Sequence, residues 1–308
     1  MEGFNVPILF IIFNRVDTTQ RVFEEIRKQK PKYLFVAADG PRKNRQDDIE
    51  NCEKTREIIG RIDWECQVKT LFRNENLGCG EAVSGAISWF FENVDMGIIL
   101  EDDCLPHSDF FPYCEELLLK YKDEEKIKVI SGDNFQKGRK RGEQSYYFSA
   151  YPHIWGWASW KRTWKEYDYS LDSISKKEFR SILKDYFSNS FEREFWYDKF
   201  ILSKKHYYNT WDYQLSFCIW KNRGLNIIPN VNLITNIGFG NNSTHTNNPN
   251  SVYSNIPTNS ILPISFSNSI KRNNDADYFY FKNYNYKSPI RLLYRFFQRN
   301  FFNFQRKI

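Results

Sequence analysis

The chain has 308 residues, of which 41% are hydrophobic, 18% aromatic and 27% charged. This length and apolar content exclude a disordered protein and a disulfide-stapled mini-domain, because the chain can bury a core of its own. The formal charge is +6, and subtracting the five basic side chains of the last twenty residues leaves +1 for the rest. A generally basic surface for nucleic acid is therefore not expected.

The first half alternates short apolar runs with helical patterns, which is typical of a parallel sheet with crossover helices. The predicted strands are Val6 to Phe13, Tyr33 to Ala38, Cys66 to Phe72, Gly97 to Leu100 and Lys126 to Ile130. The predicted helices lie between them, from Asp17, where Gln20 completes a capping signal, from Gln46 to Ile59, and from Glu81 to Phe91. The longest apolar run has eight residues, so we expect no membrane span.

After Gly132 the pattern becomes irregular. An aromatic stretch from Tyr146 to Trp164 precedes three helical segments, predicted near 176–187, 192–205 and 209–221. Residues 236–263 are rich in Asn, Ser, Thr and Pro, which predicts a long surface loop. We expect this half to build on the sheet rather than to repeat it.

Six cysteines are scattered without CxxC pairs, which predicts reduced and mostly buried thiols rather than a zinc cluster. No basic region precedes the first apolar run and no small-residue cleavage site follows it, so no secretory signal is expected.

Polar clusters follow the predicted strands at their carboxyl ends, where ligands bind in open parallel sheets. These clusters are Asn14-Arg15, Asp39-Gly40, Arg73 to Gly78 and Glu101-Asp102-Asp103. Three consecutive carboxylates repel one another, and Mg²⁺ or Mn²⁺ offsets that repulsion best because hard cations prefer oxygen ligands. A solvated acidic turn or a helix start is the alternative.

The segment Ile98 to Pro106, followed by Asp109-Phe110-Phe111, resembles the metal-binding motif of glycosyltransferases with the type A fold (GT-A). The likeness is to the N-acetylglucosaminyltransferase I group, and it runs over roughly Pro7 to His245, including the strand ends at Arg15 and Asp39. The resemblance implies an α/β fold, with a mostly parallel Rossmann-like central sheet flanked by helices and an irregular acceptor-binding second half.

The resemblance also implies roles for individual residues. Arg15 and Asp39 would contact the base or ribose, and Asp102 the ribose or sugar. Glu101 would contact the donor sugar and Asp103 the metal, Mn²⁺ or Mg²⁺. The loop that begins at Arg73 would lie near the diphosphate or sugar.

Asp212 is the candidate catalytic base. An inverting transfer needs one carboxylate to accept the proton of the attacking hydroxyl. Trp211-Asp212 begins an apolar helical segment and resembles the family's Trp-Asp motif. Capping of this helix by Thr210 or Asp212 is the alternative.

Three tryptophans, Trp155, Trp157 and Trp211, are candidates to stack on a sugar, because sugars present apolar C–H faces to aromatic rings. Burial in the core is the alternative. His245, which follows the glycine-containing turn Asn236 to Gly240, is a candidate ligand for the metal or the diphosphate.

The tail from Arg291 to Ile308 has arginines at every fourth position opposite leucines and phenylalanines. Such a cationic amphipathic helix can lie on an anionic membrane, and packing on the body of the protein is the alternative.

The sequence therefore predicts a nucleotide-sugar-binding half (1–133), an acceptor and catalytic half of the same domain (134–262) and an extension (263–308). The resemblance implies a metal-dependent, inverting glycosyltransferase that uses a UDP-sugar. We expect a saccharide or lipid-linked acceptor in surface polysaccharide synthesis. We expect the enzyme in the cytoplasm, at the inner face of the membrane. A sugar-phosphate nucleotidyltransferase and a non-catalytic carbohydrate-binding or membrane-associated protein are the alternatives.

Overall fold

The structure, a computed structural model, describes residues 4–239 and 253–285. Its strands are β1 (Ile8–Ile12), β2 (Tyr33–Ala38), β3 (Gln67–Phe72), β4 (Met96–Glu101), β5 (Cys104–Pro106), β6 (Ile127–Ser131), β7 (Tyr146–Ser149), β8 (Trp157–Trp160), β9 (Leu225–Pro229) and β10 (Ile234–Asn236). Its α-helices are α1 (Val16–Gln29), α2 (Gln46–Glu57), α3 (Gly78–Asn93), α4 (Phe110–Lys120), α5 (Lys161–Trp164), α6 (Lys176–Tyr186), α7 (Ser190–Lys204), α8 (Asp212–Lys221) and α9 (Asn274–Tyr280). A 3₁₀ turn (Ile58–Arg61) follows α2, and a π-helical turn (Phe281–Asn285) follows α9.

Eight strands form one sheet in the order β3-β2-β1-β4-β8-β6-β9-β7. The four strands of the first half are parallel, and their register pairs Ile12 with Ala38 and Ile11 with Glu101. β1, β2 and β4 are largely buried and are nearly continuous apolar runs, whereas β3 lies at the edge of the sheet and is mostly exposed. All four strands run in the same direction. Their carboxyl ends consequently share one edge of the sheet.

The second half adds to this sheet. β8 is antiparallel to both β4 and β6, so β4 and β6 run in the same direction. The residues after Ser131 therefore leave the sheet at the same edge as the acidic triplet. Because β8 runs in the opposite direction, it begins at that edge, and the residues just before Trp157 therefore lie there too.

A second, two-stranded sheet pairs β5 with β10 in antiparallel register. It begins directly after the acidic triplet, and it brings the residues that follow Asn236 back to Asp103. The Ile237 backbone N–H donates to the Asp103 carbonyl at 2.9 Å.

Helices cover both faces of the large sheet. Buried side chains of α1 and α4, such as Phe23 and Phe111, pack on one face. Those of α3, α6, α7 and α8, such as Phe90 and Phe217, pack on the other. The predicted fold class, a mostly parallel α/β sheet flanked by helices, is confirmed.

The predicted elements of the first half are confirmed to within three residues at each end. The capping signal is wrong: α1 begins at Val16 after Arg15, no side chain caps it, and Asp17 lies in its first turn. α3 begins at Gly78, earlier than Glu81.

The six cysteines are free, and Cys52, Cys104, Cys114 and Cys218 are buried, as predicted. None of the helices in residues 4–239 and 253–285 combines the length and the hydropathy that crossing a bilayer would require.

Candidate active site

A cavity of about 250 Å³, called here the first cavity, opens at the carboxyl edge of the parallel strands. Six residues predicted to bind the nucleotide-sugar or the metal line it: Arg15, Asp39, Arg73, Glu101, Asp102 and Asp103. The structure thus brings together side chains that lie as much as 88 positions apart in the sequence.

Arg15 pairs with both aspartates of the acidic triplet. Its guanidinium donates to Asp102, and at 2.9 Å to Oδ2 of Asp103. The Phe13 backbone N–H also donates to Asp102, at 3.3 Å. Burial opposes the charge on Arg15, but Asp102 and Asp103 outweigh it and raise the pKa of Arg15. One cation therefore offsets two of the three neighbouring carboxylates.

Glu101 is the third member of the triplet. Burial raises the pKa of Glu101 to about 8, and the neighbouring Asp103 and Asp102 carboxylates add to the shift. Asp212 also raises it, so the candidate base lies within electrostatic reach of the first cavity. A cation bound beside Glu101 would favour its ionised form.

Gly238 packs against the ion pair of Arg15 and Asp103. A Cβ atom at this position would overlap Oδ2 of Asp103 and would lie 2.6 Å from Nη1 of Arg15. Only a glycine lets the backbone after β10 come this close to the pair.

Asp39 holds the loop that precedes α3. Its carboxylate accepts hydrogen bonds from the backbone N–H groups of Gly40, Leu77 and Gly78 and from the side-chain amide of Asn76, at 2.9 to 3.1 Å. A carboxylate has about four lone-pair sites, so these four donors occupy most of its capacity. Asp39 therefore positions the loop, and its predicted contact with a base or ribose stays a prediction.

Arg42 and Phe13 form one wall of the first cavity. The Arg42 guanidinium lies 5.6 Å from the centre of the Phe13 ring. Asp48, fully buried in the first turn of α2, accepts from Arg42 and from Asn14 and so orients this wall. Hydrogen bonding to Arg42 lowers the pKa of Asp48 to about 2.

The donor atoms of the first cavity fit a divalent cation only together with a substrate. Within the described residues, no group of three or more His, Cys, Asp and Glu side chains is arranged to hold a metal ion. Asp103 and Glu101 offer two carboxyl groups to the cavity. Mg²⁺ is often held by one or two carboxylates together with substrate phosphates and water, and this donor set fits that arrangement for Mg²⁺ or Mn²⁺.

A second cavity, of about 230 Å³, is lined mainly by rings. Trp155, Tyr253 and Tyr280 contribute to its walls, and Asp133 and Asp212 also line it. Trp155, predicted to stack on a sugar, is half-buried here, with its ring 5.8 Å from the centre of the Tyr253 ring.

Asp212 is the first residue of α8 and lies in the wall of the second cavity. The Thr210 hydroxyl donates to its carboxylate. The helix has Trp211 as its N-cap and no side-chain cap, so capping by Thr210 or Asp212 is not what the structure shows.

A short segment joins the two cavities. Asn209 lines the first cavity, and Asp212 lines the second only three residues later. Oδ1 of Asn209 accepts from the Gly80 backbone N–H at 2.8 Å, which ties the segment to the first turn of α3.

Trp157 and Trp211 do not fit the prediction that they stack on a sugar. Their exposed fractions are 1% and 2%, and their rings stack on each other at 5.7 Å inside the core. Trp157 belongs to β8, whose side chains are all buried, so its indole fills the interior instead of a binding surface. The alternative of burial in the core is correct for these two residues.

Sequence reasoning missed several residues that line the cavities, among them Arg42, Asn209 and Asp133. Asp133 follows β6 by two residues, and the strand-end rule that marked Asp39 and Glu101 would have marked it too. Arg42 and Asn209 lie in irregular segments, where no pattern distinguishes them. His245 and the tail from Arg291 to Ile308 lie outside the described residues.

No protein-family model and no curated protein matches the chain. Among solved structures, the galactosyltransferase LgtC in complex with donor and acceptor sugar analogues matches at 12% identity, covering 61% of this chain and 68% of that chain, with a TM-score of 0.35. TarS of S. aureus matches at 11% identity, covering 65% and 68%, with a TM-score of 0.35. A cytidylyltransferase from Leptospira borgpetersenii matches at 14% identity, covering 56% and 66%, with a TM-score of 0.35. Since identities and TM-scores are low, the functional proposal rests on the side chains of the two cavities.

Proposed function

We propose that the protein is a glycosyltransferase that moves a sugar from a nucleotide-diphosphate sugar to a saccharide or lipid-linked acceptor. The observation that carries this proposal is the first cavity, where three consecutive carboxyl groups and three arginines meet at one edge of a parallel sheet. The donor occupies the first cavity and the acceptor occupies the second.

The charges of the first cavity are the reason for a divalent cation. Four carboxyl groups, from Asp39 and the triplet, line the cavity with three guanidinium groups. Arg15 is committed to Asp102 and Asp103, and Arg42 is committed to Asp48. A diphosphate would add negative charge to a cavity without an excess of positive charge, so it needs a bound cation to be favourable. Asp103, with Glu101 beside it, would hold Mn²⁺ or Mg²⁺, which supplies positive charge to the departing diphosphate.

Asp212 acts as the general base. The acceptor hydroxyl oxygen forms a bond to the anomeric carbon of the donor sugar, and the bond from that carbon to the diphosphate oxygen breaks. The hydroxyl proton passes to Asp212, and the nucleoside diphosphate leaves with the electron pair. One carboxylate is sufficient for this route, which inverts the configuration at the anomeric carbon.

A panel of nucleoside diphosphates (UDP, GDP, CDP and ADP) tests the donor site by thermal denaturation with and without Mn²⁺. We expect UDP to raise the midpoint in the presence of Mn²⁺ only. Asp103→Asn should lose that shift, whereas Asp63→Asn, an exposed partner of Arg27 remote from the cavity, should keep it. An equal shift in Asp103→Asn would contradict the assignment of the metal ligand.

Transfer tests the base separately from donor binding. Asp212→Asn should keep the UDP and Mn²⁺ shift and lose transfer to acceptor by 100-fold or more, on the order of the effect of general base catalysis. Near wild-type transfer by Asp212→Asn would show that another group accepts the proton.

The nucleotidyltransferase alternative predicts a glycine-rich basic loop after the first strand. Here β1 leads through Phe13-Asn14-Arg15 directly into α1, and the Arg15 guanidinium is bound to the triplet. Incubation with UTP and a sugar 1-phosphate should accordingly release no pyrophosphate. Release of pyrophosphate would favour the alternative over the proposed transfer.

The proposed setting is surface polysaccharide synthesis at the inner face of a bacterial membrane. The amphipathic pattern of the tail supports it, since a cationic helix can bring an enzyme to an anionic surface where lipid-linked acceptors lie. Cosedimentation with vesicles that contain phosphatidylglycerol tests this, and a chain ending at residue 290 should lose the binding.

A further inference from the structure

Asp133 is a buried carboxyl group that the proposed chemistry does not use. Its exposed fraction is 2%, and Oδ1 has no hydrogen-bond partner among the described residues. Burial raises the pKa of Asp133 well above its usual range. An unpaired polar group at this depth destabilises the folded chain, so a ligand that completes its hydrogen bonds is favoured.

The carboxyl group faces the second cavity, and its surroundings are aromatic. The Phe135 ring lies 5.4 Å from that of Trp155, and the Trp155 ring lies 5.8 Å from that of Tyr253. Tyr280 completes this side of the wall. The walls thus present ring faces, and polar groups of Asp133, Asp212, Ser216 and Asn285 lie among them.

The two carboxyl groups of the second cavity come from different elements. Asp133 follows β6, and Asp212 begins α8. A ligand that reaches both must present polar groups on its edge and apolar groups on its faces. A pyranose ring has this distribution, with C–H groups on the faces and hydroxyls around the rim.

We infer that the second cavity binds one neutral pyranose of the acceptor and that Asp133 hydrogen-bonds a hydroxyl of that ring. This inference rests on the proposed function and deepens it. Asp133 holds one hydroxyl of the pyranose and Trp155 packs on its face. In this orientation a single other hydroxyl of the ring faces Asp212. Asp133 is thereby a specificity-determining residue that selects which hydroxyl is glycosylated.

The chemistry of the cavity argues for a neutral sugar. None of the described residues that line the second cavity is Lys or Arg, and the carboxylate of Asp212, the proposed base, disfavours a phosphate or a carboxylate near it. A volume of about 230 Å³ suits one ring rather than a longer chain inside the cavity. The remainder of the acceptor would extend toward solvent.

The probes are p-nitrophenyl glycosides of glucose, galactose, N-acetylglucosamine and N-acetylgalactosamine. Saturation-transfer-difference NMR on the full chain should show contact with the pyranose protons of at least one glycoside, without nucleotide or metal. Asp133→Leu keeps the branched shape of the side chain and removes its hydrogen bonds, so the affinity for that glycoside should fall about tenfold. Trp155→Ala should abolish the contact.

Asp277→Asn is the matched control. Asp277 is as buried as Asp133, at 2% exposure, but it is bonded to Ser149, Ala150 and Arg272 and does not line the second cavity. This variant should unfold at a lower temperature and keep glycoside affinity. Equal glycoside affinity in wild type and in folded Asp133→Leu would overturn the role of Asp133, and so would an equal loss in Asp277→Asn.

The nucleotide experiment separates this inference from the proposed function. If UDP and Mn²⁺ stabilise the chain but none of the four glycosides makes contact, the sugar assignment of the second cavity fails and the donor site stands. If a glycoside binds through Asp133 but no nucleotide binds, the sugar site stands and the transferase proposal fails.

Discussion

The carboxyl groups of the two cavities differ in whether their oxygens have hydrogen-bond or ion-pair partners. In the first cavity, Asp102 is paired with Arg15, and Asp39 accepts from Gly40 and from three donors of the loop that leads into α3. In the second cavity, Asp133 keeps an oxygen without a partner and is surrounded by rings. The side chains of the first cavity are already paired with one another, whereas the second contains hydrogen-bonding capacity that a ligand can use. Four substitutions test this difference.

The largest expected effect is that of Arg15→Leu, which leaves the buried Asp102 and the half-buried Asp103 without their cation. Removing one partner of a buried ion pair costs about 3 to 5 kcal/mol, so the free energy of unfolding should fall by that amount in a urea titration. Arg27→Leu removes an exposed ion pair with Asp63 and should change stability little. Similar losses in the two variants would show that the first cavity does not depend on its internal pairing.

Asp39→Asn comes next. The amide would turn an N–H₂ group toward backbone N–H donors, so at least one bond to Leu77 or Gly78 is lost. We expect a loss of about 3 kcal/mol, since hydrogen bonds to charged groups each contribute about 1.5 to 3 kcal/mol. Amide exchange at Leu77 and Gly78 should quicken more than exchange in β2. Unchanged exchange in that loop would contradict the role of Asp39 in holding it.

The third effect is a loss of stability at acidic pH that arises from His153, which lines the second cavity. His153 is 4% exposed, its ring packs at 4.5 Å from that of Tyr280, and burial lowers the pKa of His153 to about 3. The unfolded chain takes up a proton as the pH falls below about 6.5, and the folded chain does not. The stability associated with neutral His153 is therefore complete above pH 6.5 and is lost progressively toward pH 3.

At pH 5 this loss is about 2 kcal/mol relative to pH 7, from 1.36 kcal/mol per pH unit. His153→Phe removes the titrating group among aromatic neighbours, so its urea midpoint should fall less between pH 7 and pH 5 than that of the wild type. Parallel pH profiles would show that the imidazole is protonated in the folded chain.

The smallest expected effect is that of Asp133→Leu on stability. One oxygen of the carboxyl group has no partner, but the group also accepts from the Trp155 backbone N–H, so removing it should lower the thermal midpoint only slightly. Asp277→Asn should lower the midpoint, since Asp277 is bonded to Arg272 and Ser149. A large loss in Asp133→Leu would place Asp133 with the paired carboxylates of the first cavity and remove the contrast.

The fold and most of the first cavity could be predicted from the sequence. The strands of the first half are apolar runs that end at polar residues, and parallel strands place those ends on one edge. Arg15, Asp39 and Glu101 therefore came together as expected. The order of apolar and polar residues does not show which contacts a side chain makes. It therefore did not predict the hydrogen bonds that the Leu77 and Gly78 N–H groups donate to Asp39.

The second cavity was harder to predict, because aromatic residues serve both cores and binding sites. Trp155 and Trp157 lie two positions apart, yet one lines the cavity and the other is buried in β8. Alternation along a strand would place residues two positions apart on the same face, and the two differ because Trp155 lies before β8 whereas Trp157 is its first residue. Asp133 was missed for a related reason, since β6 was predicted without following its carboxyl end to the edge of the sheet.

The hydrogen bond from Gly80 to Asn209 ties helix α3 to the segment that leads into Asp212, the candidate base. A Cβ atom on Gly80 would lie 3.1 Å from Oδ1 of Asn209 and 3.1 Å from the Thr210 carbonyl oxygen, so little space separates the two segments. Whatever displaces the first turn of α3 must also displace the chain just ahead of Asp212. A ligand that shifts the first turn of α3 would therefore also shift the segment that leads into Asp212.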